Sequence, residues 1–260
     1  MTTYLDGILE SHRAAAAQDE RSLDQLIEQT AECEPVRGFG RALRAAPGLG
    51  VIAEVKRRSP SKGDLNLDLD PAALSSSYAA GGAACCSVLT DVEYFGGSVA
   101  DLQTVRAAVD LPILRKDFTV AAHDVVDARL IGADCVLLIV AALDDHELSD
   151  FHALATEVGL DALIEVHDEA EAERAMAVGG SIIGVNQRDL MTFEVDVQRA
   201  QRVASSLPTN VTRIAESGIT GPTDIPDLVS SGFEAVLVGE SLVKHDGPEN
   251  GVRALIEAAQ

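Results

Sequence analysis

The sequence predicts an α/β protein: a (β/α)8 TIM barrel with an N-terminal helical extension. Three observations carry that expectation. Eight short apolar runs each break into charged or polar residues, they recur every roughly 20 to 35 residues from Val51 onward, and helical patterns fill the intervals. The runs are apolar on both faces, as strands of a parallel sheet covered by helices must be.

The elements can be justified in order. Residues 4–46 precede the first run and read largely as helix, with Leu23, Leu26 and Ile27 on one face and breaks at Pro35 and Pro47. This stretch, residues 1–47, is expected to pack over one mouth of a single domain spanning residues 1–260. The eight strand candidates lie in Val51-Ile52-Ala53-Glu54-Val55-Lys56, Cys85-Cys86-Ser87-Val88-Leu89-Thr90-Asp91, Leu111-Pro112-Ile113-Leu114-Arg115-Lys116-Asp117-Phe118, Cys135-Val136-Leu137-Leu138-Ile139-Val140, Ala162-Leu163-Ile164-Glu165-Val166, Ile182-Ile183-Gly184-Val185-Asn186, Arg213-Ile214-Ala215-Glu216-Ser217 and Ala235-Val236-Leu237-Val238-Gly239-Glu240. Between them, residues 121–132, 144–158 and 169–178 carry helical periodicity. Eight such units favour closure over an open doubly wound sheet. The open sheet also lacks its signature, because no Gly-x-Gly-x-x-Gly turn follows any run; Gly38-Phe39-Gly40 lacks the third glycine and precedes them all.

Composition narrows the class. Forty-two acidic residues against 20 basic ones give a net charge of −22, a surface that repels nucleic acid and anionic membranes. Excess Asp and Glu with few lysines also suits a salt-rich interior, where ions screen self-repulsion. No apolar run approaches the roughly 20 residues of a membrane span, and the first ten residues show no signal-peptide pattern, so a cytoplasmic location is expected. The 4 cysteines have neither zinc nor disulfide spacing; Cys86 and Cys135 read as small packed residues.

In such a barrel the reactive side chains gather at the C-terminal strand ends, and the loops after strands seven and eight frequently hold a phosphate. The rim set is then Glu54 and Lys56 from the first strand, Lys116 from the third, Glu165 from the fifth, Asn186 from the sixth and Glu216 from the seventh. Any one alone reads equally well as a structural ion pair. Together at one mouth they point to general acid and base work, because opposite charges in a sheltered cup shift each other's pKa. Three turns could cradle an anion with backbone N–H groups and hydroxyls: Ser59-Pro60-Ser61-Lys62-Gly63, Ser217-Gly218-Ile219 and Gly239-Glu240-Ser241.

These motifs, in this order along the chain, resemble the indole-3-glycerol-phosphate synthases. The resemblance rests on Ile52-Ala53-Glu54-Val55-Lys56 with the Ser59 turn, Ser87-Val88-Leu89-Thr90-Asp91 with Tyr94-Phe95, Leu114-Arg115-Lys116-Asp117-Phe118, Glu165-Val166-His167, Ile183-Gly184-Val185-Asn186 with Arg188-Asp189-Leu190, Ala215-Glu216-Ser217-Gly218-Ile219 and Val238-Gly239-Glu240-Ser241-Leu242. It implies ring closure, decarboxylation and dehydration of a phosphorylated anilino sugar, with no cofactor and no metal. It assigns acid and base roles to Lys56, Lys116 and Glu165, with Glu54, Asn186 and Glu216 ordering the site. Ser59, Ser217, Gly218, Gly239 and Ser241 are then expected at the phosphate. Phe118, Leu190 and Leu237 would line the slot for the aromatic ring, and Arg188 would pair with a carboxylate. A monomer is expected, with the small phosphorylated substrate as its partner.

The sequence departs from common family choices at Glu93, where lysine is frequent, and at Gly96 and Gln187. His167 shares a side with Glu165 by the two-residue period, but it falls where the chain turns into Asp168 and Glu169, so a helix-start or loop role is expected. His12, His123, His146, His152 and His245 read as surface residues.

Overall fold

The computed structural model describes residues 4–60, 62–188, 195–243 and 247–260. The eight apolar runs become eight strands: β1 (Gly50–Val55), β2 (Cys85–Leu89), β3 (Ile113–Lys116), β4 (Cys135–Ile139), β5 (Asp161–Val166), β6 (Ile182–Asn186), β7 (Thr212–Glu216) and β8 (Ala235–Val238). Each pairs in parallel with its neighbours in sequence. The barrel closes where β1 meets β8, with Gly50 opposite Ala235 and Ala53 opposite Val238. Closure removes both sheet edges, and burial on both faces explains why the runs do not alternate with polar residues.

The acid-rich composition does local work at the helix starts. Asp70, Asp144, Asp168 and Asp196 each accept a hydrogen bond from a first-turn N–H. At Asp144 the cap is reciprocal: Glu147 N–H donates to Asp144, and the Glu147 carboxylate accepts from Asp144 N–H. These caps open helices at the C-terminal side of the strands, where the loops begin.

Three helices precede the barrel: α1 (Tyr4–Ala16), α2 (Leu23–Thr30) and α3 (Phe39–Ala45). They are not confined to one mouth, which differs from the expectation. Leu5 and Ile8 of α1 face a cavity at the C-terminal strand ends. α2 lies along the flank, against the helix Ala122–Leu130. α3 closes the other end: Gly40 N–H donates to Asp161 Oδ2 at 2.9 Å, and a Cβ on Gly40 would stand 2.8 Å from Ile182 Cδ1. Phe39, fully buried, plugs that floor beside Cys85. The physical reason is that α1 and α3 each carry a short apolar face, and each barrel end offers apolar residues to receive one, such as Leu137, Ile139 and Leu237 in the cavity lined by Leu5 and Ile8, and Ile182 beside Gly40 at the other end.

The same floor holds Asp134, fully buried at the start of β4. Its carboxylate accepts from Arg37 N–H at 2.7 Å, Ile113 N–H at 2.8 Å and Arg106 Nη1 at 2.6 Å. A buried charge so fully partnered is tolerated and ties the extension to the barrel. Cys86 and Cys135 are buried as expected, and the four cysteines are all free thiols. Among the described residues no helix is long and apolar enough to cross a membrane.

Candidate active site

The C-terminal ends of the strands surround a cavity of about 610 Å³, roofed on one side by Tyr4, Leu5 and Ile8 of α1. Every expected site residue among the described ones lines it. Glu54, Lys56, Lys116, Glu165, Asn186 and Glu216 form its floor, Phe118, Arg188 and Leu237 stand on the walls, and Ser59, Ser217, Gly218, Gly239 and Ser241 lie in the surrounding loops. Leu190 lies outside the described residues.

Strand register brings the charges together. Asn186 pairs with Glu216 across β6 and β7, and Ile139 with Glu165 across β4 and β5. Lys116 Nζ donates to Glu165 Oε2 at 3.1 Å and stands 4.0 Å from Glu216 Oε2. Asn186 Nδ2 donates to Glu165 Oε1 at 3.0 Å, and Asn186 Oδ1 accepts from the Arg188 backbone N–H at 3.0 Å. Lys56 Nζ donates to Glu54 Oε2. Two lysines thus face one cup, each anchored to a glutamate.

The shared environment pushes the groups apart. Burial works against the Lys116 ammonium, but the carboxylates of Glu165, Glu216 and Glu54 outweigh it and hold its pKa above the usual lysine value. Burial likewise opposes an ionised Glu165; the charges of Lys116 and His167 and the Asn186 hydrogen bond overcome it and keep Glu165 a carboxylate. Glu216 goes the other way, because burial and the charge of Glu165 raise its pKa well above the usual range. The Glu165 carboxylate and Glu216, whose hold on its proton is strengthened, lie within 4.0 Å of the Lys116 ammonium nitrogen, and the three form a set able to give and take protons.

The loops are shaped for close approach. Ser217 and Gly218 follow β7 with φ of 63° and 72°, and Ser217 is the only non-glycine residue with positive φ among those described. Its carbonyl accepts from Gln187 Nε2 at 2.8 Å, which fixes the turn. After β8, a Cβ on Gly239 would stand 2.3 Å from Glu54 Oε2, so glycine lets this turn sit on the floor carboxylate without displacing it. Ser241 Oγ donates to Ile219 O at 3.3 Å and joins the two loops. Ser59 opens a two-stranded ribbon, Arg58–Ser59 with Gly63–Asp64, on the β1 side of the mouth.

Several lining residues were missed from the sequence. Tyr4, Leu5 and Ile8 carry ordinary amphipathic periodicity, which says nothing about what their face covers. Lys62, expected only as part of the anion-cradling turn, lines the cavity beside Ser59; its own signal was available, since lysine occurs only at positions 56, 62, 116 and 244. His12 is a correction to the surface reading: its Nε2 lies 3.0 Å from Asp91 Oδ2 and its ring 5.4 Å from that of Phe118. His123 and His152 are half-buried, His146 is exposed, and His245 lies outside the described residues. His167 does occupy the bend before a helix, as expected, yet its ring also reaches Glu165.

A closed parallel barrel whose strand ends deliver two lysines and three glutamates into one cavity is a (β/α)8-barrel enzyme with a pocket suited to moving protons. Within that class, the chain belongs to the indole-3-glycerol phosphate synthase family, whose profile matches residues 5–255. It is 54% identical over 97% of its length to an indole-3-glycerol phosphate synthase of a Nocardioides species, covering 98% of that protein. It is 48% identical to indole-3-glycerol phosphate synthase 1 of Streptomyces coelicolor, over 99% of this chain and 96% of that one. The Mycolicibacterium smegmatis enzyme of the same name is also 48% identical, over 98% and 94% of the two chains. Among solved structures, a thiamine phosphate pyrophosphorylase from Pyrococcus furiosus superposes with a TM-score of 0.62 at 15% identity, over 81% of this chain and 95% of that one, a likeness of fold alone.

Proposed function

We propose that this chain is an indole-3-glycerol-phosphate synthase, a carboxy-lyase of tryptophan biosynthesis. It converts 1-(2-carboxyphenylamino)-1-deoxyribulose 5-phosphate to indole-3-glycerol phosphate, CO2 and water. The ring carbon that bears the carboxylate attacks the ketone carbon, and the ketone oxygen takes a proton. The carboxylate leaves as CO2, its bonding electrons restoring the aromatic ring. The new hydroxyl then departs as water, and loss of one further proton completes the indole.

The observation that carries this reading is the Lys116 ammonium, held between Glu165 and Glu216 in the cavity that Lys56 and the glycine and serine turns also line. Lys116 protonates the ketone oxygen as charge develops there, Lys56 assists departure of the hydroxyl, and Glu165 receives the proton released on aromatisation. Glu54, Asn186 and Glu216 hold these three in place. Ser59, Ser217, Gly218, Gly239 and Ser241 take the phosphate, with Lys62 adding a cation on that side. Phe118 and Leu237 flank the aromatic ring, together with Leu190, and Arg188 meets the substrate carboxylate. No step needs a redox partner, and no cofactor is proposed.

The direct test follows indole fluorescence on adding the substrate. Lys116→Ala is expected to lower kcat by about 10²-fold or more; a variant turning over like the parent removes the central role given to Lys116. Ser241→Glu is expected to raise KM by repelling the phosphate, with a smaller effect on kcat. An unchanged KM moves the phosphate elsewhere. We further propose that the chain acts as one folding unit, residues 1–47 included, that it is a cytoplasmic monomer, and that its acidic surface is an adaptation to salt.

A further inference from the structure

Glu165 raises a problem that the proposed chemistry does not solve by itself. Its side chain is 1% exposed, Oε2 accepts from Lys116 and Oε1 from Asn186, and it lines the cavity that the substrate fills, so during turnover a proton it receives leaves through a neighbouring side chain. Besides Lys116, which the proposed chemistry already uses as the acid, one titratable neighbour leads from it toward a more exposed carboxylate. His167 Nε2 lies 3.6 Å from Glu165 Oε1, a small ring rotation from hydrogen-bond distance, and it is a buried nitrogen without a hydrogen-bond partner. The other ring nitrogen, Nδ1, is 3.0 Å from Glu171 Oε2. That same oxygen accepts the His167 backbone N–H at 2.7 Å, so Glu171 sets both the bend and the ring orientation.

Exposure rises along this line, from 1% at the Glu165 side chain to 12% at His167 and 18% at Glu171. Asp168 caps the helix Glu169–Ala177 and places Glu171 in its first turn, aimed back at the strand end. The charged groups that face the ring are Glu165 from β5, Glu171 from this helix and Arg199 from the helix Val197–Ala204. Two carboxylates outweigh both burial and the guanidinium, so an imidazolium formed here is stabilised rather than expelled.

We propose that His167 is a positioning residue that returns protons from Glu165 to solvent, with Glu171 holding its ring in the required tautomer. The inference rests on the reading of Glu165 as the base. The relay starts from the neutral ring: in each turnover the O–H bond formed on Glu165 breaks as an N–H bond forms at Nε2, regenerating the carboxylate and giving an imidazolium whose charge then favours the Glu165 anion. The Nδ1 proton then passes to Glu171 and on to water, and return of the ring to the Nδ1–H tautomer by exchange with solvent completes the cycle.

The test measures single-turnover and steady-state rates between about pH 5.5 and 9, where a histidine titrates, for His167→Asn, Glu171→Gln and Glu165→Gln, with and without added imidazole. His167→Asn is expected to lower kcat about 10-fold or more with KM within about twofold, to lose one limb of the kcat–pH profile, and to regain rate with imidazole. Glu171→Gln, which keeps the local shape, is expected to shift the same limb. A His167→Asn enzyme with the parent kcat and pH profile overturns the relay, as does a variant that melts earlier but keeps the profile. If Glu165→Gln is inactive in that case, the base assignment stands and only the relay falls. An active Glu165→Gln overturns both.

Discussion

Glu165 and Glu216 are both buried carboxyl groups beside Lys116, yet their surroundings drive them in opposite directions. Glu165 has three groups that favour the anion, Lys116, His167 and Asn186. Glu216 has burial and the Glu165 charge against it, and its Oε1 has no hydrogen-bond partner, pressed instead toward Gly184. A neutral amide should therefore mimic Glu216 but not Glu165. Glu216→Gln is expected to cost less than about 10-fold in kcat, against about 10²-fold or more for Glu165→Gln; equal losses would show that Glu216 works as an anion. The same contrast predicts a stability effect. Because the folded pKa of Glu216 lies above the unfolded value of about 4.3, the native state binds more protons than the unfolded one across that window, so stability falls as pH rises through it. Glu216→Gln removes the penalty, and its melting temperature should exceed the parent's at pH 8 by more than at pH 5. A constant difference between the two pH values would contradict the assignment.

α1 shows what sequence reading could and could not reach among the elements. The strands were legible because a run apolar on both faces has few places to go except a covered parallel sheet, and Lys116, Glu165, Asn186 and Glu216 followed from the rule that strand ends build the mouth. The roof was not legible, since Leu5 and Ile8 show only that α1 has an apolar face. His12, among polar helical neighbours, gave no sign that a buried Asp91 at the end of β2 was waiting for it. Burial opposes the His12 imidazolium, but the Asp91 hydrogen bond and the charge of Asp117 prevail and raise its pKa. Asp91 is itself held ionised against burial by His12 and by the N–H groups of Tyr94 and Phe95, at 2.6 and 2.9 Å. For a raised histidine, the stabilising pair is fully present below the unfolded pKa of about 6.5 and is lost as pH rises through the folded value. Amide hydrogen exchange in α1 should therefore quicken across the range above about pH 6.5. In His12→Ala it should be fast at the lower pH as well, with KM raised because Tyr4, Leu5 and Ile8 line the cavity. Exchange in α1 that is equally slow in both proteins at both pH values would show that the helix is docked by its apolar face alone.

At the scale of the whole molecule, the closed barrel gathers into one cavity residues that stand as far apart as Glu54 and Ser241 in the chain. Three of the four lysines, Lys56, Lys62 and Lys116, line the cavity, while Lys244 lies outside the described residues. Positive charge elsewhere comes mainly from arginines already paired, as in Arg13 with Glu147, Arg21 with Asp19 and Asp127, and Arg253 with Glu249. These pairs leave the net −22 uncompensated, and exposed pairs of this kind each contribute little. Self-repulsion among the remaining carboxylates therefore opposes the compact state, and it is long-ranged only while the Debye length is long: about 10 Å at 0.1 M salt but about 3 Å at 1 M. Moving from 0.1 to 1 M potassium chloride should raise the melting temperature by about 4 °C or more, on the order of 1 to 2 kcal/mol for a chain of this size. Sucrose at equal osmolarity separates the causes, because it strengthens burial by exclusion without screening charge. A rise in potassium chloride that sucrose does not reproduce supports salt adaptation; a melt unmoved by the salt, or moved equally by sucrose, means that the acidic composition is not an adaptation to salt.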